Sequence, residues 1–528
     1  MSTGSPALTY VEARAAAING DHAQAAELLA TLADARPGQL QFAQQALTEA
    51  IGSGQMSLAL SLVPKIPAGK LSTESRLLVV TEAIKQRQGD RALQWLAPSG
   101  NTPDLRLFGP LITAWGAAER GDQATALATL DQISAKNPLS PLVDEQKALL
   151  LLKFRRPADA EPFARRAIAA AGQREARLRL AFADGFLAAG DRARATATVQ
   201  SLSSDSPGAR RILAGRSTGE AIDTSAKAWS DVLTVFAADI ARLQRNNPPV
   251  GFAQVAHYAD PSNSGATALL ALLLDSSDRS DEASALLATV PTDDPLISQV
   301  RDVQARILTN GKKYDEAYAI AAAAVREPGA ASIDYSRLGD VLEAMDRHNE
   351  AADAFGRAIA IANATGQKDD LWSLLLLQAN SYEQADRWPE AKAGLLQALT
   401  LAPQQPLLLN FLGYARLERG EDMDASEAMI RKASELAPDD ASITDSLGWA
   451  QFKRGKLAEA IDTLQKAAEK DPDQAEIQEH LGDALYKSGR RYEARFAWQA
   501  ALVTAEDKVE ARVKQKLTSG LTPANAAP

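Results

Sequence analysis

The chain has 528 residues, with 57 Lys and Arg against 67 Asp and Glu for a formal charge of −10, and no cysteine. That balance excludes nucleic-acid binding, which needs clustered Lys and Arg, and the missing thiols exclude disulfides, thiol catalysis and thiolate metal sites. Hydrophobic residues make up 46% but aromatics only 5%. No run of alternating β-branched residues stands out, so the chain reads as all-α, built from Ala- and Leu-rich helices.

The first predicted elements are faint hairpins between residues 1 and 207. Gly20-Asp21 with Ala25, Leu29, Leu32 and Pro37 marks a unit starting near 6. Gly121-Asp122 with Ala126, Leu130 and Pro138 marks one near 107, and Gly190-Asp191 with Ala195, Val199 and Pro207 one near 176. Weaker units near 40, 74 and 141 fill the gaps. A generic Ala-rich helical bundle is the alternative for this block. Gly208, Gly215 and Gly219 then interrupt the pattern, which predicts an irregular linker over 208–229.

From 230 to 506 the pattern is regular. Units start at 230, 264, 298, 332, 372, 406, 441 and 475. The step of 40 before 372 implies extra residues within Ala362–Asp369, and the step of 35 before 441 is absorbed near Glu421–Asp424. In the best unit Leu447-Gly448 is followed by Ala460, Leu464, Ala467 and Pro472, and 34 residues on by Leu481-Gly482, Ala494 and Ala501. Two apolar stripes of helical period flank a polar turn such as Lys453-Arg454-Gly455-Lys456. Small residues let the antiparallel helices approach, and Pro472 closes the unit because it cannot continue a helix. One hairpin cannot bury its apolar face alone, so neighbours must stack. Lys508–Leu517 reads as a capping helix, and 518–528, rich in Pro, Ala and Ser, as a frayed tail, so that 507–528 forms the end of the array.

These spacings resemble the tetratricopeptide repeat. The resemblance implies an α-α superhelical solenoid of about 14 units in two blocks, whose first helices line a concave groove. Transferring that family's groove positions onto this chain singles out Asn380, Asn410, Tyr414, Asp445, Trp449, Phe452, Lys453, Asp483 and Tyr486. Large rings beside amide and carboxylate groups suit an extended peptide. The alternative is that Trp449 and Phe452 pack against neighbouring helices and bind nothing. The family's clamp for a C-terminal carboxylate needs several Lys or Arg, whereas Glu418, Asp445, Glu479 and Asp483 stand here, so a neutral or basic guest is expected.

The last three units carry Asn410-Phe-Leu-Gly-Tyr414, Asp445-Ser-Leu-Gly-Trp449 and Glu479-His-Leu-Gly-Asp483. They look like a group of long proteobacterial tetratricopeptide adaptors, often exported or lipid-anchored, some of which hold a carboxy-terminal processing protease and its substrates at the cell envelope. Envelope location and a protease partner are therefore what that resemblance implies. The sequence as it stands begins Met1-Ser-Thr-Gly-Ser-Pro with its first basic residue at Arg14. It shows no signal peptide, which predicts a cytoplasmic protein, or a periplasmic or envelope-associated one if a leader is missing. No 18-residue apolar stretch predicts a membrane span.

Chemistry is sparse. Glu476, Glu479, His480 and Asp483 share one helix, but no second helix supplies a matching Glu-x-x-His, so no metal or other cofactor is expected. Gly311-Lys312-Lys313 lacks the rest of a phosphate loop, and no Gly-x-Ser-x-Gly elbow occurs. The expected function is that of a non-catalytic scaffold or adaptor for protein or peptide partners, with self-association through exposed hairpins left open.

Overall fold

The computed structural model describes residues 5–99, 102–202, 206–244, 247–366 and 371–527. Among the described residues there are thirty α-helices, five short 3-10 turns and no strand. Helices begin at Pro6, Leu40, Thr73, Gly109, Val143 and Glu175 in the N-terminal part, and at Ser264, Ile297, Ser332, Leu371, Pro406, Ala441 and Ala475 further on, within two residues of the sequence-derived unit starts. No helix is long and apolar enough to cross a membrane among the described residues.

The hairpin turns follow from local chemistry. At Gly20, Gly121 and Gly190 the backbone turns left-handed, with φ of 82°, 81° and 84°, a conformation that glycine adopts at no steric cost. The Asp that follows each of them caps the second helix, accepting a hydrogen bond from Gln24, Thr125 or Arg194 through its side chain. This explains why Gly-Asp marked those units.

The chain forms two compact units, Met1–Met345 and Asp346–Pro528. The sequence reading placed the division, and an irregular linker, at 208–229. In the structure Pro207–Leu213 is a helix, and the helix Ser225–Leu243 begins inside the expected linker. With Val250–Ala259 it forms a hairpin that returns to the N-terminal repeats, packing on the helices Leu40–Gly52, Thr73–Lys85 and Gly109–Glu119. Trp229 and Phe236 meet Phe108 edge-on at 5.1 and 5.0 Å, and the Trp229 indole donates to Thr81 Oγ1 at 2.8 Å. A single apolar cluster therefore runs from Ala13 to Leu296. Glycine-rich spacing suggested a break, but the polar and aromatic residues flanking it make it part of a core.

In the second unit the hairpins 371–401, 406–436, 441–470 and 475–504 follow the long helix His348–Thr365. That helix takes up part of the insertion expected within 362–369, while 367–370 lie outside the described residues. The frayed tail expected over 518–528 is instead folded back: Asn525 and Ala527 are buried.

Candidate peptide-binding groove

In the second unit the first helices from 406 onward pack on one another: Pro406–Glu418 on Ala441–Lys453, that on Ala475–Lys487, and that on the capping helix Asp507–Ser519. Glycine permits the close approach within each hairpin. A methyl group at Gly448 would sit 2.6 Å from the Leu464 side chain, and one at Gly482 2.3 Å from the Trp498 ring. First-helix side chains from 406 onward thus form one continuous face, and the residues singled out in the sequence divide into three groups.

Asn380, Asn410 and Tyr414 are half-buried. Asn410 donates from Nδ2 to Ser446 Oγ at 3.3 Å, and its buried Oδ1 has no donor. The Asn380 amide and the Tyr414 hydroxyl likewise have no hydrogen-bond partner among the described residues. Burial, reinforced by the nearby Glu418 and Asp445 carboxylates, pushes the Tyr414 hydroxyl above its ordinary range, so it stays a neutral donor.

Asp445, Trp449 and Phe452 are brought together, but inside the protein. Trp449 is 0% exposed and lies between Phe452, stacked at 4.6 Å, and His480, stacked at 4.1 Å. His480 Nδ1 meets both Asp445 oxygens, at 3.0 and 2.8 Å. These rings form a wall between successive hairpins and cannot touch a guest. Only the rim is wet: Lys453 lies over the Trp449 ring at 5.4 Å and pairs with Glu418 at 3.4 Å, while Lys487 lies over Phe452 at 4.9 Å.

Asp483 and Tyr486 form the third group; Asp483 is buried and Tyr486 half-buried. Asp483 Oδ1 accepts from the Trp498 indole at 3.0 Å, and its Oδ2 accepts from Lys516 Nζ at 2.7 Å and from the Ala527 backbone N–H at 3.1 Å. Lys516, itself fully buried, also binds Glu479 at 2.7 Å, and Arg512 adds two bonds to the same carboxylate. Burial alone would raise the Glu479 carboxyl, but Arg512 and Lys516 outweigh it and hold the group below its ordinary value. The capping helix had been expected from its polar pattern. That its Lys516 would close over two inner carboxylates had no signal beyond the matching i, i+4 spacing of Glu479 and Asp483.

Sequence reasoning missed the charged interior of the first unit. Arg177 binds Glu220 at 2.6 Å and Asp231 at 2.9 Å, and Arg174 binds Glu145 and Asp231 at 2.9 and 3.2 Å. Burial pushes both Glu145 and Glu220 up to about 7, against the attraction of the arginines. The helix Ser225–Leu243 carries Asp231 into this cluster, and its first residue is held by Glu119, which accepts from the Ser225 N–H and hydroxyl at 2.9 and 2.6 Å. First-helix faces of the N-terminal hairpins are thereby filled by the protein's own helix.

The hairpin geometry agrees with the comparison of sequences. The family described as TPR repeat matches residues 448–489, which span the second half of one first helix, its partner and all of the next first helix. The chain contains tetratricopeptide repeats. No curated protein matches it. Solved structures similar to this repeat chain include the Cut9–Hcn1 hetero-tetramer of the APC/C, 14% identical, covering 98% of this chain and 97% of that one at a TM-score of 0.41. YrrB, described as a TPR protein with an unusual peptide-binding site, is 18% identical over 37% of this chain and 97% of its own, at 0.28. MamA is 20% identical over 32% and 94%, at 0.27.

Proposed function

We propose that the protein is a non-catalytic scaffold that holds an extended peptide segment of a partner along the first helices of the hairpins 371–401 and 406–436. One observation carries this reading. Asn380, Asn410 Oδ1 and Tyr414 Oη are polar groups on successive inner helices, partly withdrawn from water and without partners among the described residues. Buried polar groups are nearly always satisfied, so the enclosed Asn410 Oδ1 favours a donor from outside, while the Asn380 amide and Tyr414 hydroxyl stand half-exposed beside it and open to a guest. A peptide backbone offers both at regular spacing. Lys453 and Glu418 on the rim, and Leu407 with half its surface exposed, add charge and apolar contact for side chains. Of the residues expected to line the groove, this assigns contact to Asn380, Asn410, Tyr414 and Lys453. Asp445, Trp449 and Phe452 are the wall behind it.

The test is a selection of peptides from a random library on the whole protein, followed by affinity measurements on Asn380→Ala/Asn410→Ala/Tyr414→Phe. Losing hydrogen bonds of about 1 kcal/mol each should weaken selected peptides by roughly tenfold or more. Unchanged affinities would remove these residues from the site.

A further inference from the structure

We propose that the inner face of the last hairpin, 475–504, is a separate receptor for a turn-forming segment of small, uncharged side chains, and that the protein's own segment 520–527 fills it in cis. Most contacts that position this surface come from outside the segment. Asp483 is fixed by the Trp498 indole and Lys516, and the Tyr486 ring lies 5.4 Å from that of Trp498, with Arg491 over the Tyr486 ring at 5.3 Å.

The segment after the capping helix meets this surface through its backbone. At Gly520 the chain takes φ 77° and ψ −179°, a conformation open to glycine, and a Cβ there would lie 2.2 Å from Tyr486 Oη. The next residues form a turn: Asn525 Oδ1 accepts from the Thr522 N–H at 2.7 Å, and Asn525 Nδ2 donates to the Gly520 carbonyl at 2.9 Å. Asn525 is buried, Ala526 exposed and Ala527 buried, so the turn sets every other one of these residues against the surface. Ala527 joins the apolar cluster that contains Leu481, Leu485 and Trp498, and its N–H reaches Asp483.

Recognition therefore runs through one backbone donor, one glycine and small side chains. The side chains of residues 520–528 are all uncharged, and Leu521 is their one large apolar side chain. So small an anchor gives an occupant that exchanges rather than a permanent part of the core. This site does not depend on the Asn380–Asn410–Tyr414 groove, and either can fail alone.

Hydrogen exchange on the full chain, together with a labelled synthetic peptide of residues 520–528, tests it. In the wild type the C-terminal segment should exchange at least tenfold more slowly than the free peptide. Gly520→Val/Ala527→Pro, which adds a clash with Tyr486 and removes the donating N–H, should lose that protection and bind the wild-type peptide in trans with a saturable anisotropy change. The wild type should bind it at least tenfold more weakly, because its own segment competes. A peptide with the Ala527→Pro change should not bind the released variant. A wild-type segment that exchanges as fast as free peptide overturns the proposal, as does a folded double variant that takes up no peptide. Wild-type dimers that disappear in the double variant would place a second copy's segment in the site and overturn the cis assignment.

Discussion

His480 and Asp445 form a buried pair between two successive first helices: the imidazole Nδ1 lies 3.0 and 2.8 Å from the two carboxylate oxygens. Burial by itself would lower the imidazole, but Asp445, helped by Asp483 and Glu479, outweighs it and holds His480 above its ordinary value. A group raised on folding contributes stability that is complete below its unfolded pKa, about 6.5 for His, and lost as pH rises through the folded value. The wild type should therefore lose denaturant resistance as pH rises above about 6.5, and His480→Gln should flatten that slope. His480→Ala should also cost about 3 kcal/mol at pH 6, since it uncovers Trp449 and strands a buried carboxylate. Equal slopes for wild type and His480→Gln would show that the pair does not titrate with folding.

The glycines of the repeat differ in what they do. Gly482 faces the Trp498 ring, where a methyl would fall at 2.3 Å, and Gly455 occupies a turn with φ 75° and open space around it. Gly482→Ala must displace a fully buried indole and break its bond to Asp483, at about 3 kcal/mol or more. Gly455→Ala carries only backbone strain of about 1 kcal/mol. Thermal melts of the two variants check the order. If Gly455→Ala were the worse, helix approach would not be what the repeat glycine provides.

The spacing of small and apolar residues made the hairpins legible because helix approach and stacking depend on residues close in sequence. The phase of the repeat also placed Asn380, Asn410, Tyr414, Trp449 and Asp483 on first helices, where the structure has them. What the spacing could not convey is coverage. Trp449 is roofed by His480 from the next helix, and Asp483 by Lys516 and Ala527 from segments outside the repeat. The helix Ser225–Leu243 fills first-helix faces far earlier in the chain, as its Trp229 contact with Thr81 shows. Such contacts join residues without periodic relation, so repeat logic assigns their partners to solvent.

Glu427 supports the stack from the second-helix side. Burial would raise its carboxyl, but hydrogen bonds from Lys456, Arg431 and Arg454 outweigh this and hold it at about 2. A depressed carboxyl contributes stability that is present above its unfolded pKa, about 4.3, and lost as pH falls toward 2. Glu427→Gln should cost about 2 kcal/mol at pH 7, leaving three cations without their anion. Wild type and variant should converge in urea midpoints as pH drops through that window. Parallel curves down to pH 3 would count against it.

The first unit should show the opposite pH dependence through its interior. Arg174 and Arg177 face the carboxylates of Glu145, Asp231 and Glu220, so the anions outnumber the cations in a region shielded from water. Burial raises Glu145 and Glu220 to about 7, and Asp231, paired with both arginines, stays below its ordinary value. Raised carboxyls contribute stability that is complete below about 4.3 and lost as pH climbs to about 7. Amide exchange in the helix Ser225–Leu243 should accordingly be slower at pH 5.5 than at pH 8 after correction for intrinsic rates. Glu220→Gln, which keeps a hydrogen-bonding partner for Arg177 while removing one titration, should narrow that difference. Arg177→Met should instead cost about 3–5 kcal/mol, because it leaves Asp231 and Glu220 buried with one cation fewer. Protection that is independent of pH in the wild type would mean that the cluster holds no proton between pH 5.5 and 8.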